Sequence, residues 1–135
     1  MTKAAKRRST GVVRETAAVY GGQVKQYDLE ERTFQFAKRV RGFVKTLPRT
    51  ICNLEDVKQL VRASGSVGAN YIEANESLGK KDFAMRIKIC RKEAKESRFF
   101  LRLLDVGGAE NERTALIQEA TELMNIFGSI VRRTE

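Results

Sequence analysis

The 135-residue chain contains no histidine and no tryptophan, a single proline, and two cysteines. The missing histidine matters most. It removes the histidine-assisted nucleophiles and most transition-metal sites at once. Cys52 and Cys90 lie far apart and lack the close pairing of metal ligands. Cys90 falls on the apolar side of a helical pattern, where a free thiol acts as a small hydrophobe. Free thiols fit a reducing compartment. No apolar run is long enough for a signal-peptide core or a membrane span, so the expectation is a cytoplasmic protein. No glycine-rich phosphate loop is present. Glu73, Glu93 and Glu96 are the acids to weigh for catalysis, and helix salt bridges account for them more simply. A non-enzymatic protein without cofactor or metal is expected.

What the chain does have is positive charge. Lys and Arg number 26 against 17 Asp and Glu, a formal net charge of +9. Such an excess points to a polyanionic partner. The charge is uneven. Residues 1–27 carry six basic groups and one acid, and Lys6, Arg7 and Arg8 cluster there among Ala, Ser and Thr. This segment reads as a flexible basic arm, broken by Gly21-Gly22, of the kind that touches nucleic acid.

Residues 28–135 form one domain of four amphipathic helices. Asp28 is a candidate N-cap for the first, with Glu30 and Glu31 in its first turn. Leu29, Phe36, Val40, Phe43, Val44 and Leu47 give it one apolar face, and Pro48 closes it. Asn53 is a candidate cap for the second, which extends to about Leu78. Leu54, Val57, Val61, Ser64, Gly68, Tyr71, Asn75 and Leu78 keep a 3-4 spacing along it. The third spans about Lys80 to Val106, with Phe83, Ile87, Cys90, Ala94, Ser97, Leu101 and Leu104 inside, and Gly107-Gly108 stops it. The fourth spans about Glu110 to Val131, with Leu116, Ala120, Leu123, Phe127 and Ile130 inside. Short connections between such helices predict an all-α, antiparallel, up-down-up-down four-helix bundle.

One stretch of the second helix stands out. Six of the seven residues from Ala63 to Ala69 are Gly, Ala or Ser. Glycine inside a helix costs roughly 0.5–1 kcal/mol relative to alanine. Close approach by another backbone is the usual compensation, so a tight helix crossing is predicted here.

The third helix has more faces than a monomeric bundle needs. Beside its core line, Lys81, Lys88, Arg91, Lys95, Arg98 and Arg102 form a basic stripe about 32 Å long. Its remaining side carries Met85, Ile89, Phe99 and Leu103 around Lys92 and Glu96. On the second helix Arg62, Ser66, Ala69, Asn70 and Glu73 likewise point away from the core. Lys92 and Glu96 are within reach of Asn70 and Glu73, inside the chain or across subunits. A second, partly apolar face predicts an oligomer interface.

Several of these segments resemble one family. They are Leu47-Pro48, Gln59-Leu60-Val61-Arg62-Ala63-Ser64, Ser66-Val67-Gly68-Ala69-Asn70-Tyr71-Ile72-Glu73-Ala74, Asp82-Phe83, Lys92-Glu93-Ala94-Lys95-Glu96-Ser97 and Phe100-Leu101-Arg102-Leu103-Leu104. The sequence from about residue 28 onward is similar to the four-helix-bundle proteins encoded in intervening sequences of bacterial 23S ribosomal RNA genes. Phe100 stands where that family often has tryptophan. The resemblance implies a homopentamer of bundles packed side by side into a barrel. It also implies a relationship to accessory variability determinant proteins of diversity-generating retroelements, which bind a reverse transcriptase and nucleic acid through a basic surface. The leading expectation is a non-catalytic, RNA-binding homo-oligomer, with DNA as a further possible ligand. The alternative is an accessory scaffold that holds a reverse transcriptase and its RNA.

Overall fold

A computed structural model of the chain describes residues 18–20, 23–25 and 28–135. Four helices dominate it: α1 (Leu29–Val44), α2 (Ile51–Asn75), α3 (Lys80–Leu103) and α4 (Glu110–Thr134). Before them, β1 (Ala18–Tyr20) and β2 (Gln23–Lys25) pair antiparallel, with Val19 opposite Val24. The sequence reading assigned no strands to this stretch. Gly-Gly between two short runs is itself a hairpin signal, here outweighed by the surrounding basic, polar composition. Among the described residues no helix is long and apolar enough to cross a membrane.

The helix backbones neighbour one another in the cyclic order α1–α2–α3–α4–α1, and across the α2–α4 diagonal the Tyr71 and Phe127 rings meet with centroids 5.9 Å apart. Side-chain pairs fix the directions. Asn75 donates to Glu30 while Arg41 reaches the carbonyl of Val61, so α1 and α2 run oppositely. Arg86 meets Asn70 and Arg62 meets Glu96, so α2 and α3 do as well. Arg98 meets Thr121 while Lys88 approaches Glu135, and Arg32 meets Glu119 while Arg39 approaches Glu112, which closes an up-down-up-down bundle.

The core follows helical periodicity. Phe36, Val40, Leu60, Val67, Ile87, Ala94, Leu101, Leu116, Leu123 and Phe127 are almost fully buried. Cys90 lies among them, and burial pushes its thiol up to about 12. It therefore stays protonated and unreactive at neutral pH, whereas Cys52 is exposed. Asp28 caps α1, accepting from the Glu31 amide at 3.2 Å. Pro48 lies beyond the end of α1, and Leu47 is buried from the turn rather than from the helix.

On α2 the buried line differs from the predicted one. It comprises Asn53, Leu60, Ala63, Ser64, Val67 and Ala74, with Val57 and Tyr71 partly buried. The two lines share Val57, Ser64 and Tyr71 and differ by one residue elsewhere. Leu54, Asn75 and Leu78 are exposed. Gly68 instead faces α1, because α2 packs on two neighbours and its buried arc is wide. A Cβ at Gly68 would lie 2.9 Å from Thr33 Oγ1 and 3.3 Å from Thr33 Cβ. The predicted tight crossing is therefore present, between α1 and α2. Thr33 is fully buried and holds its hydroxyl on the Leu29 carbonyl at 2.7 Å.

Asn53 also plays a different part from the predicted cap. Thr50 caps α2, accepting from the Asn53 amide at 3.1 Å. The Asn53 side chain is buried and donates to the carbonyls of Pro48 (2.8 Å) and Asp105 (2.7 Å). Its oxygen accepts from the Asp105 amide at 3.0 Å. One amide thus ties the α1–α2 loop to the α3–α4 loop. α3 ends at Leu103, before the predicted Val106. The chain then turns through Gly107, whose φ of 57° favours glycine. Arg113 of α4 covers the end of α3, donating to the Leu104 carbonyl. α4 continues past the predicted end, and Val131 is buried more deeply than Ile130.

Two substitutions test this account. Asp is as good an N-cap as Asn, so Asn53→Asp would be nearly neutral if Asn53 were a cap. As a latch it must donate to two carbonyls, so Asn53→Asp should destabilise the fold about as much as Asn53→Ala. Each should cost about 1–3 kcal/mol in denaturant unfolding. Gly68→Ala should cost about 1–3 kcal/mol despite alanine's higher helix propensity. In a Thr33→Ala background the cost should shrink clearly, and equal costs in both backgrounds would place the strain elsewhere.

Candidate nucleic-acid interface

α3 carries nine basic residues and three acidic ones. Its fixed helical periodicity sorts them between two outer seams, one toward α4 and one toward α2. The α4 seam receives the predicted basic stripe. Lys81, Lys88, Arg91, Lys95 and Arg102 are exposed and Arg98 is half-buried. Arg98 donates to Thr121 Oγ1 at 3.3 Å. Lys88 lies 3.9 Å from Glu135, with both side chains more than half exposed. Lys81, Arg91, Lys95 and Arg102 have no carboxylate within ion-pair distance among the described residues. Lys6, Arg7 and Arg8 lie outside the described residues.

The α1–α4 and α2–α3 seams differ, whereas Arg41 at the α1–α2 seam donates to the Ala37 and Val61 carbonyls. Between α1 and α4, Arg32 makes two bonds to Glu119, at 2.8 and 2.9 Å, and one to Glu122 at 2.8 Å. Arg39 lies 3.6 Å from Glu112. Between α2 and α3, Arg62 contacts Glu96 at 2.8 Å and the buried Glu93 at 3.4 Å. The Glu96 hydrogen bond is the main reason its pKa is raised. At these seams positive charge is internally neutralised. At the α3–α4 seam most of it is open to an external anion.

Sequence reading missed a contribution to this seam. α4 adds Arg132, which lies past the helix end predicted at about Val131. Arg132 reaches back over Gly128, where Arg91 also lies. The pKa of Arg133 is lowered, first by partial burial and then by the charge of Arg132. The available signal was Gly128 one turn before a basic pair, since glycine leaves room for long side chains from two helices.

The α2–α3 seam matches the predicted second face in character. Met85, Phe99 and Leu103 are about half exposed, Ala69 is exposed, and Ile89 is half-buried. Leu54 and Ile72 of α2 add further exposed apolar surface. The polar pairs at its centre are not those anticipated. Within the chain Lys92 and Glu96 do not meet Asn70 and Glu73: Arg62 engages Glu96, Arg86 donates to Asn70 at 3.1 Å, and Lys92 pairs with Glu93 at 3.4 Å. Ser66 is half-buried and its carbonyl accepts from Asn70, while Glu73 is exposed. Glu93 and Glu96 are thus engaged as salt-bridge partners.

An open groove of about 560 Å³ lies where α1 ends and α4 begins, lined by Phe43, Val106 and Ala109 among others. Its charged groups, Arg39 and Glu112, are occupied with each other. No group of three or more candidate metal ligands occurs among the described residues.

The bundle has a solved counterpart. It is similar to the crystal structure of a protein of unknown function from the S23 ribosomal protein family of Bacteroides thetaiotaomicron, with a TM-score of 0.68 and 27% identity. The match covers 76% of this chain and 97% of that one. No curated protein matches the chain. The family model for the 23S rRNA-intervening sequence protein matches residues 25–129, which include most of the bundle. By that match the chain belongs to the 23S rRNA-intervening sequence protein family.

Proposed function

We propose that this protein is a non-catalytic, self-associating RNA-binding bundle whose α3–α4 seam contacts the phosphate backbone. The observation that carries the reading is the contrast between seams. Arg32, Arg39 and Arg62 are matched by carboxylates, whereas Lys81, Arg91, Lys95 and Arg102 are not. Solvated, unmatched cations along one helix suit phosphate contacts, which give affinity without base readout. The family's tie to ribosomal RNA sequence makes RNA the first ligand to test, ahead of DNA.

Binding should weaken steeply with salt, because each neutralised phosphate releases counterions. Neutralising Lys81, Lys95 and Arg102 together to Gln should flatten the slope of log Kd against log salt by about two to three. Fluorescence anisotropy with a structured RNA measures this directly. An unchanged slope would remove the seam from the binding surface. Absence of RNA binding near physiological salt would favour a scaffold that docks a partner protein, such as a reverse transcriptase.

The α2–α3 seam is proposed as the subunit interface of a homopentamer. Its support is the exposed apolar set of Met85, Phe99, Leu103 and Leu54 flanking the Arg62–Glu93–Glu96 centre. Burying apolar surface of this kind drives association. Ala69→Glu and Ile89→Glu should each dissociate the assembly in light scattering while leaving the helical content intact. Two fully assembled variants would move the interface to another face.

A further inference from the structure

We infer that Arg91 and Arg132 form a two-guanidinium clamp above Gly128 that grips a single phosphodiester group of bound RNA. The inference rests on the proposal that the α3–α4 seam meets RNA, and it assigns to that seam a specific subsite including α4.

The geometry centres on one missing side chain. Gly128 is buried in the α3–α4 packing. A Cβ built there would lie 3.5 Å from one terminal nitrogen of Arg132, 3.7 Å from Arg91 Cδ and 3.9 Å from a terminal nitrogen of Arg91. Two guanidinium groups from different helices thus converge on one point. Their nitrogens are no more than about 7.4 Å apart, from the same distances. One phosphate spans such a gap, with a charge-assisted bond of roughly 2.7–2.9 Å on each side.

Neither group has an internal anion. No carboxylate lies within ion-pair distance of Arg91 or Arg132 among the described residues, and Glu135 contacts Lys88 instead. Two converging cations without a counter-ion repel each other, and an anion between them turns that repulsion into attraction. Ordinary helix capping does not explain Arg132. Its guanidinium reaches one turn toward the start of α4, away from the last carbonyls that a C-terminal cation serves. Phosphodiester chemistry is favoured over a lone anion by the neighbours. Lys88 and Lys95 flank Arg91 on the same stripe, about 5 and 6 Å away along the helix axis. The clamp is thus one station on a longer track of cations.

The test uses the full chain and a short, fluorescently labelled RNA hairpin over a salt series. Arg91→Gln, Arg132→Gln and the double variant are compared with Lys95→Gln. Glutamine keeps an aliphatic stem over Gly128, and thermal melting checks that each variant folds. Each single arginine variant should weaken binding about tenfold. The double variant should fall well short of the product of the two, with the salt slope lowered by about one in all three. Effects that multiply to about a hundredfold would mean two separate phosphates and overturn the clamp. No effect of either arginine, with Lys95→Gln still weakening binding, would overturn the clamp and leave the general RNA reading standing. No effect of any variant would remove both.

Discussion

The bundle depends on how closely α1 can approach α2. A Cβ on Gly68 would come within 2.9 Å of the hydroxyl of Thr33, a buried and hydrogen-bonded side chain. Helices this close must meet through small residues, and the run from Ala63 to Ala69 supplies them on several sides of α2. The consequence reaches beyond the crossing. Once Gly68 is turned to α1 and Leu60, Val67 and Ala74 to the core, helical geometry turns Ala69 and Ile72 outward. The outer seam with α3 is therefore smooth and partly apolar because the inner crossing is tight. A larger residue at Gly68 would rotate or displace α2 and disturb that seam as well.

Charge is organised with comparable economy. The bundle's core cannot hold ions, so arginines accumulate in the grooves between helices. In two grooves, α1–α4 and α2–α3, they find glutamates on the facing helix, and Arg32 between Glu119 and Glu122 is the most complete example. The half-exposed pair of Arg39 and Glu112 adds little stability by itself, whereas the bidentate Arg32–Glu119 pair is largely buried. Together such pairs leave little unmatched charge on those sides. In the groove between α3 and α4 no such matching occurs for Arg91 and Arg132. The net charge of the whole chain is therefore a poor guide to where a polyanion would sit. The better guide is which cations lack a partner, and that is a property of the fold.

Much of the architecture was legible in the residues. The core of α3 emerged intact because Ile87, Cys90, Ala94, Ser97 and Leu101 form one unambiguous line. The Asp28 cap and the tight crossing at the small-residue stretch were also legible, since each has a local physical cause. The α2 face was not. Two lines sharing Val57, Ser64 and Tyr71 fit its sequence almost equally, and only packing on two neighbours separates them. Asn53 misled for a similar reason. An asparagine near a helix start satisfies local capping rules, while its actual partner, Asp105, is 52 residues away. The basic stripe of α3 was readable from its period. The part played by Arg132 was not, because it arises from convergence with Arg91 across two helices.

The two outer seams of α3 explain why one helix can serve two proposed roles without conflict. The core line separates them, so the side toward α2 and the side toward α4 face different neighbours. In a ring closed through the α2–α3 seam, each apolar face is covered and each basic groove remains outside or at the rim. Symmetry would then repeat the groove once per subunit, with no further change in sequence. Weak individual phosphate contacts gain from such repetition, because a second contact on the same RNA becomes intramolecular. Affinity would then depend on assembly more steeply than on any single lysine. Loss of the apolar seam should therefore weaken RNA binding even though it leaves every cation in place.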